Sequence, residues 1–175
     1  MQRRPRRNRR TAITRGFLKE TQLSTSNLVQ PFFLADGTKV KDEVKSMPGN
    51  FRMSIDVAVE EMRSCIELGI RSFILFPAVD ESLKDKRATY GSSANNFYLK
   101  AFEVFKSEFG DTVNLITDVA MDPYSSDGHD GLVEGDEILN DETLPILGDM
   151  ALAQAKAGAD IIGPSDMLDG RVEYI

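Results

Sequence analysis

At 175 residues the chain has room for one domain with a sizeable core, and 41% hydrophobic content is ordinary for a globular protein. The formal charge of −7 excludes little by itself, because it hides an asymmetry: seven arginines and no acid stand in the first fifteen residues, leaving 14 basic and 28 acidic residues, net −14, in the remainder. No apolar run approaches the roughly 18 residues of a membrane span, the arginine-rich start has no apolar core of a secretory signal, and the single cysteine, Cys65, excludes an intrachain disulfide, so a cytoplasmic protein without membrane contact is expected.

The arginine arm could bind nucleic acid, but no aromatic residue interleaves with it and the acidic body would repel phosphate, so no nucleic-acid partner is expected. Packing on the acidic surface of a neighbouring subunit is the favoured reading. Residues 11–21 then give a short helix with Ile13, Phe17 and Leu18 as apolar points, so residues 1–22 form a basic arm with a helix. Residues 27–35 read as a strand, although Pro31 within it favours an edge or an opening position. Ser46-Met-Pro-Gly49 is a turn signature.

From here the pattern is regular. Ser54 can cap a helix with Ile55, Val59, Met62 and Ile66 at 3.6-residue spacing, stopped by Gly69. Residues 70–76 form a buried-type strand ending at Pro77. Asn95 or Asn96 opens a second helix through Tyr98, Phe102, Phe105 and Phe109, closed by Gly110. Residues 113–119 form the next strand. A third helix carries Leu144, Leu147, Ala151 and Ala155; Pro145 fits only its first turn, which favours Thr143 as its cap. Gly158 ends that helix, and residues 159–163 form a fourth strand running into Pro164-Ser-Asp166.

Helices ending in glycine and followed by apolar strands predict βα units, a parallel sheet and right-handed crossovers. Four strands and three complete helices are half of an eightfold barrel, which needs about 250 residues, or a small open sheet. The chain stops where a fourth helix is expected, which reads as truncation.

Functional residues in such a sheet gather at the carboxyl ends of the strands. Those ends present Asp118, Ser165 and Asp166. Asp118 could equally be a cap or a structural acceptor, and Ser165 the N-cap of the next helix. Beyond Asp118 lies a loop with Asp122, Asp127, His129 and Asp130, whose mutually repelling carboxylates need a cation or open solvent. It is not an EF-hand: the first positions of that frame hold Ser126 and Gly128, without carboxylates. One histidine is too few for zinc, and hard oxygens at Asp122 and Asp130 suit magnesium or manganese if any metal is held.

The stretch Asp118-Val-Ala-Met-Asp-Pro-Tyr-Ser-Ser-Asp-Gly-His-Asp-Gly131 resembles the metal loop of porphobilinogen synthases (5-aminolevulinate dehydratases). Arg4-Pro-Arg-Arg7, Ser46-Met-Pro-Gly49, Ile138-Leu-Asn-Asp-Glu-Thr143, Ala157-Gly-Ala-Asp160 and Pro164-Ser-Asp-Met-Leu-Asp-Gly-Arg-Val172 match it in order. The resemblance implies a TIM-type α/β barrel, of which residues 23–175 are the N-terminal half, and an arm that embraces a neighbour, commonly in a homo-octamer. It also implies condensation of two 5-aminolevulinate molecules to porphobilinogen, a lyase reaction of tetrapyrrole (haem) biosynthesis that loses two waters and needs no organic cofactor. Asp118, Ser165 and Asp166 would line the active site, with Asp118 and Ser165 binding substrate.

Zinc-dependent members carry cysteines where this chain has Ala120, Asp122 and Asp130, so an active-site zinc is not expected. The aspartate-rich branch, which often uses magnesium at a separate site, is the nearer likeness, and Asp127 departs from the family's usual histidine. The chemistry needs a neutral lysine to form a Schiff base. None stands at a strand end here, and the resemblance implies that both such lysines come from the barrel's second half, so the chain alone is expected to be inactive. Two other readings remain: a half-barrel scaffold that self-associates through its sheet edges, and a metal-dependent lyase or aldolase using the acidic loop directly.

Overall fold

The computed structural model describes residues 3–175; the first two residues of the predicted arm lie outside that range. The arm begins with a 3-10 turn, Pro5–Arg9, and a helix α1, Ala12–Phe17, capped where the Thr11 hydroxyl accepts the Thr14 N–H at 3.0 Å. The helix is shorter than the 11–21 predicted. Its apolar residues find no core: Ile13 and Phe17 stand almost fully in solvent, Phe17 at 89% exposure.

The body is an open, mostly parallel sheet of five strands in the order β2-β3-β1-β4-β5, with helices on one face. Its strands are β1 (Val29–Ala35), β2 (Lys41–Glu43), β3 (Phe51–Met53), β4 (Ser72–Ala78) and β5 (Asn114–Ile116). Only β2 runs antiparallel, against β3. Among the described residues the sheet does not close into a barrel. The proline-bearing β1 sits inside the sheet rather than at its edge. However, β3 meets it only at Phe33 and Leu34, so around Pro31 it has a neighbour on one side alone, the circumstance in which a proline is tolerated.

Helix α2 (Ile55–Glu67) and helix α3 (Phe97–Phe109) lie where the 3.6-residue spacing puts them. Gly69 and Gly158 follow α2 and the helix that ends at Lys156 with φ of +91° and +105°, the left-handed conformation that turns a helix back toward the sheet. Asn96, not Asn95, caps α3, its side-chain oxygen accepting the Tyr98 N–H at 3.0 Å. Ser54 stands at the N-cap position of α2 but makes no capping bond; its hydroxyl accepts the Val40 N–H at 2.9 Å and donates to Asp56 at 2.5 Å. Phe32, Leu34, Phe73, Leu75 and Leu115 point from alternate positions of the strands into the layer of Met62, Tyr98, Phe102 and Phe105. That alternation leaves Phe33 and Phe76 on the opposite face, stacked at 5.6 Å between ring centres.

Three predicted features change. The acidic loop is followed by a small hairpin, β6 (Leu132–Glu134) and β7 (Glu137–Leu139), turning at Gly135. Helix α4 (Asn140–Lys156) then starts earlier than predicted, directly from β7, so Pro145 lies in its second turn. Thr143 is no cap: its hydroxyl donates to the Leu139 carbonyl at 2.6 Å and accepts the Leu132 N–H at 3.0 Å, pinning the hairpin to the helix. The predicted fourth strand is only a pair of isolated bridges, Ile116 to Ile161 and Val119 to Pro164. A ladder fails there because the Thr117 side-chain oxygen, not a backbone carbonyl, takes the Gly163 N–H at 3.2 Å. The chain closes with a short helix α5 (Arg171–Tyr174).

Candidate active site

The predicted residues converge. Asp118, Asp122, Asp130, Ser165 and Asp166, with Phe76 from β4, line one open cavity of about 430 Å3 at the carboxyl ends of β4 and β5. A larger hollow of about 580 Å3 lies beyond the ends of β1 and β4, lined by Asp36, Arg52, Asp80 and Lys84 among others; it gathers none of the predicted residues.

Asp118 is the deepest member, 6% exposed. Its backbone is held from both helices behind it: its N–H donates to the Tyr98 hydroxyl at 3.0 Å, and its carbonyl accepts from the Gln154 side-chain amide at 3.0 Å. Burial pushes its carboxyl up to about 6; the Ser165 hydroxyl beside it pulls the other way, and the charges of Asp122 and Asp130 add to the rise. Asp122 reaches solvent, yet its carboxyl is also held above the usual range, first by partial burial and then by Asp130. A carboxylic acid near neutrality beside an ionised neighbour can hold and release a proton, and the surplus negative charge favours a cationic ligand.

Ser165 is not a helix N-cap; α5 begins six residues later, after Gly170. Its N–H donates to the Val119 carbonyl at 3.0 Å, which ties it beside Asp118. The Asp166 side chain is fully buried, with one oxygen accepting the Leu168 N–H at 2.8 Å and lying 3.3 Å from the Arg171 guanidinium. Its second oxygen has no hydrogen-bond partner. An unpartnered buried carboxylate oxygen on a cavity wall is costly unless a ligand or water meets it.

The acidic loop is gripped by the segment between β4 and α3. The Asp85 N–H donates to the Tyr124 carbonyl at 3.2 Å, the Asp85 carbonyl accepts the Ser126 N–H at 3.0 Å, and Lys86 stands 3.9 Å from Asp127. His129 turns inward on its own loop, its Nδ1 accepting the Gly131 N–H at 3.1 Å. Among the described residues no three of His, Cys, Asp and Glu form a group able to hold a metal. Position 120 is a buried alanine, and Asp122 and Asp130 share the cavity with the carboxyls of Asp118 and Asp166, a set of oxygen donors without sulfur or nitrogen. The sequence pattern did not single out Tyr98 and Gln154 as site residues, because one reads as a helix's apolar face and the other as a surface amide. Arg171 was visible only within a matched motif.

The family described as Delta-aminolevulinic acid dehydratase matches residues 2–175. The enzyme of that name from Chlamydia pneumoniae is 43% identical over all of this chain and 52% of its own length. That of Bradyrhizobium diazoefficiens is 45% identical over 98% of this chain and 48% of its own. The crystal structure of delta-aminolevulinic acid dehydratase (porphobilinogen synthase) from Toxoplasma gondii ME49, in complex with its reaction product porphobilinogen, superposes with a TM-score of 0.96 at 40% identity, over all of this chain and 50% of that one. The chain spans about half the length of the relatives it matches. On this match, which runs over residues 2–175, the chain belongs to the delta-aminolevulinic acid dehydratase family.

Proposed function

We propose that this chain supplies the carboxylate-bearing part of a site that condenses two 5-aminolevulinate molecules into porphobilinogen, a step of tetrapyrrole biosynthesis. The observation that carries the reading is the cavity in which Asp118, Ser165 and Asp166 meet at the strand ends. The substrate is an amino ketone acid, and a pocket with several carboxylates and no lysine on its wall is built to receive its ammonium end. Asp118, with a carboxyl near 6, accepts and returns protons as bonds form and water leaves, while the Ser165 hydroxyl holds the ligand against it. Asp166 orders the wall.

Schiff-base formation needs a neutral lysine, and none lines this cavity among the described residues. In this reading the lysines come from the part of the family's barrel outside the matched span, and the open sheet belongs to the N-terminal part of that eight-stranded barrel. Residues 1–22 are the arm and residues 23–175 the barrel part. Exposed Ile13, Phe17 and Leu18 on the arm support packing against another copy, in a cytoplasmic homo-oligomer of the family's octameric kind. Magnesium, at a site separate from the acidic loop, fits the likeness to the family's aspartate-rich branch.

The experiment has two arms. Calorimetric titration with 5-aminolevulinate is expected to show saturable binding that Asp118→Ala abolishes, and a colorimetric pyrrole assay on the same chain is expected to stay blank. Lack of binding contradicts the substrate; pyrrole formed by the 175-residue chain contradicts the assignment of the lysines.

A further inference from the structure

The strands β4 and β5 pair in register only from Ser72 opposite Asn114 to Ile74 opposite Ile116. Parallel pairing sends alternate N–H groups of one strand to the same neighbour. The Asn114 N–H goes to the Arg71 carbonyl on the β4 side at 2.8 Å, whereas the N–H groups of Thr117 and Val119 go the other way, to Ile161 and Gly163. Continued by that alternation, the ladder would give the Asp118 N–H to the Leu75 carbonyl and the Asp118 carbonyl to the N–H of residue 77. Residue 77 is proline, which has no N–H to give.

Both missing ladder bonds are replaced by side chains. The Tyr98 hydroxyl sits between the two strands, accepting the Asp118 N–H at 3.0 Å and donating to the Leu75 carbonyl at 2.6 Å. The Gln154 amide donates to the Asp118 carbonyl at 3.0 Å in place of a backbone N–H. Tyr98 and Gln154 are both fully buried. Here a hydroxyl is wedged into a sheet at the residue whose side chain forms the floor of the cavity.

We infer that Tyr98 and Gln154 are positioning residues: by replacing the two ladder bonds of Asp118 they spread β4 from β5 and set the place of the Asp118 carboxyl between Ser165 and Asp122. The inference rests on the reading of Asp118 as the working carboxylate. A merely structural tyrosine would fill the core with its ring, which packs edge-on against Phe102 at 5.1 Å. The hydroxyl is the part that reaches the site. Without it the end of β5 shifts, water reaches the buried carboxyl, and the burial that raises its proton affinity is relieved.

The test is a carbon-13 carboxyl titration of the intact chain with Tyr98→Phe and Gln154→Met, variants that keep volume but lose the donor or acceptor. The titration point of Asp118 is expected to fall by at least about half a unit in both, with the Asp56 carboxyl on α2 unmoved. A titration point unchanged in one variant removes that residue from the assignment, and one unchanged or raised in both overturns it. Amide exchange at Asp118 in the unaltered chain keeps the question open to measurement if a variant fails to fold: slow exchange is expected, and fast exchange contradicts the clamp. If 5-aminolevulinate does not bind but the titration point still moves, the function falls and the positioning stands.

Discussion

Two strand junctions meet along β4 and behave differently. Against β1 it pairs over seven residues, from Val29 opposite Ser72 to Ala35 opposite Ala78, and the backbone satisfies itself to the mouth of the sheet. Against β5 it pairs over three, after which the Tyr98 and Gln154 side chains serve the backbone instead. The site cavity opens at the second junction. A complete ladder leaves no polar group to aim at a ligand, whereas an interrupted one makes room, provided buried side chains satisfy the freed groups.

Removing a side chain from the sealed face of β4 should have the largest effect. Phe73→Ala, in the core layer, is expected to cost about 3–5 kcal/mol in urea unfolding, and Phe76→Ala, on the cavity face of the same strand, less than about 2. Equal losses would erase the distinction between the two faces.

Asp118→Asn sharpens the comparison through pH. The Asp118 carboxyl is raised in the folded protein to about 6, above its unfolded value, so between about pH 4 and 6 the folded state holds a proton that the unfolded state has lost. Its contribution therefore falls as pH rises through that window. The variant is expected to gain stability relative to the parent, by roughly 2–3 kcal/mol above pH 7 and by little below pH 4. A stability difference independent of pH would contradict the burial of an ionisable group at this spot.

Gly163→Ala breaks the interrupted side from its other edge. A methyl group there would stand 2.5 Å from the Thr117 carbonyl oxygen, which belongs to backbone and cannot swing aside. A loss of about 1–3 kcal/mol in thermal or urea unfolding is expected, with weaker ligand binding. The smallest effect is electrostatic. Lys84, paired with Glu81 at 2.5 Å, lowers the proton affinity of Asp122, so Lys84→Met should raise the Asp122 titration point without altering the melt.

Legibility in the sequence followed the kind of signal. Helices α2 and α3 carry long 3.6-residue patterns with glycine after them, and both stand within a residue or two of their predicted spans. The run 113–119 reads as one strand because apolar alternation is blind to hydrogen bonding, and the partner's Pro77 and the Tyr98 hydroxyl lie far off in the chain. The start of α4 was misplaced because Thr143 offers the same hydroxyl to a cap or to a neighbouring hairpin, and only the fold shows that Leu139 and Leu132 are its partners. The gathering of Asp118, Ser165 and Asp166 in one cavity was legible since strand ends and a run of family motifs marked them. The residues that hold Asp118 act by backbone contact and leave no such mark.

The most direct measurement maps where 5-aminolevulinate touches the chain, by amide chemical-shift changes during titration. The account predicts saturable shifts at Asp118, Asp122, Asp130, Ser165 and Asp166, around the interrupted β4–β5 junction. Shifts confined instead to Arg52, Asp80 and Lys84, around the hollow beyond β1 and β4, or none at all, would contradict it.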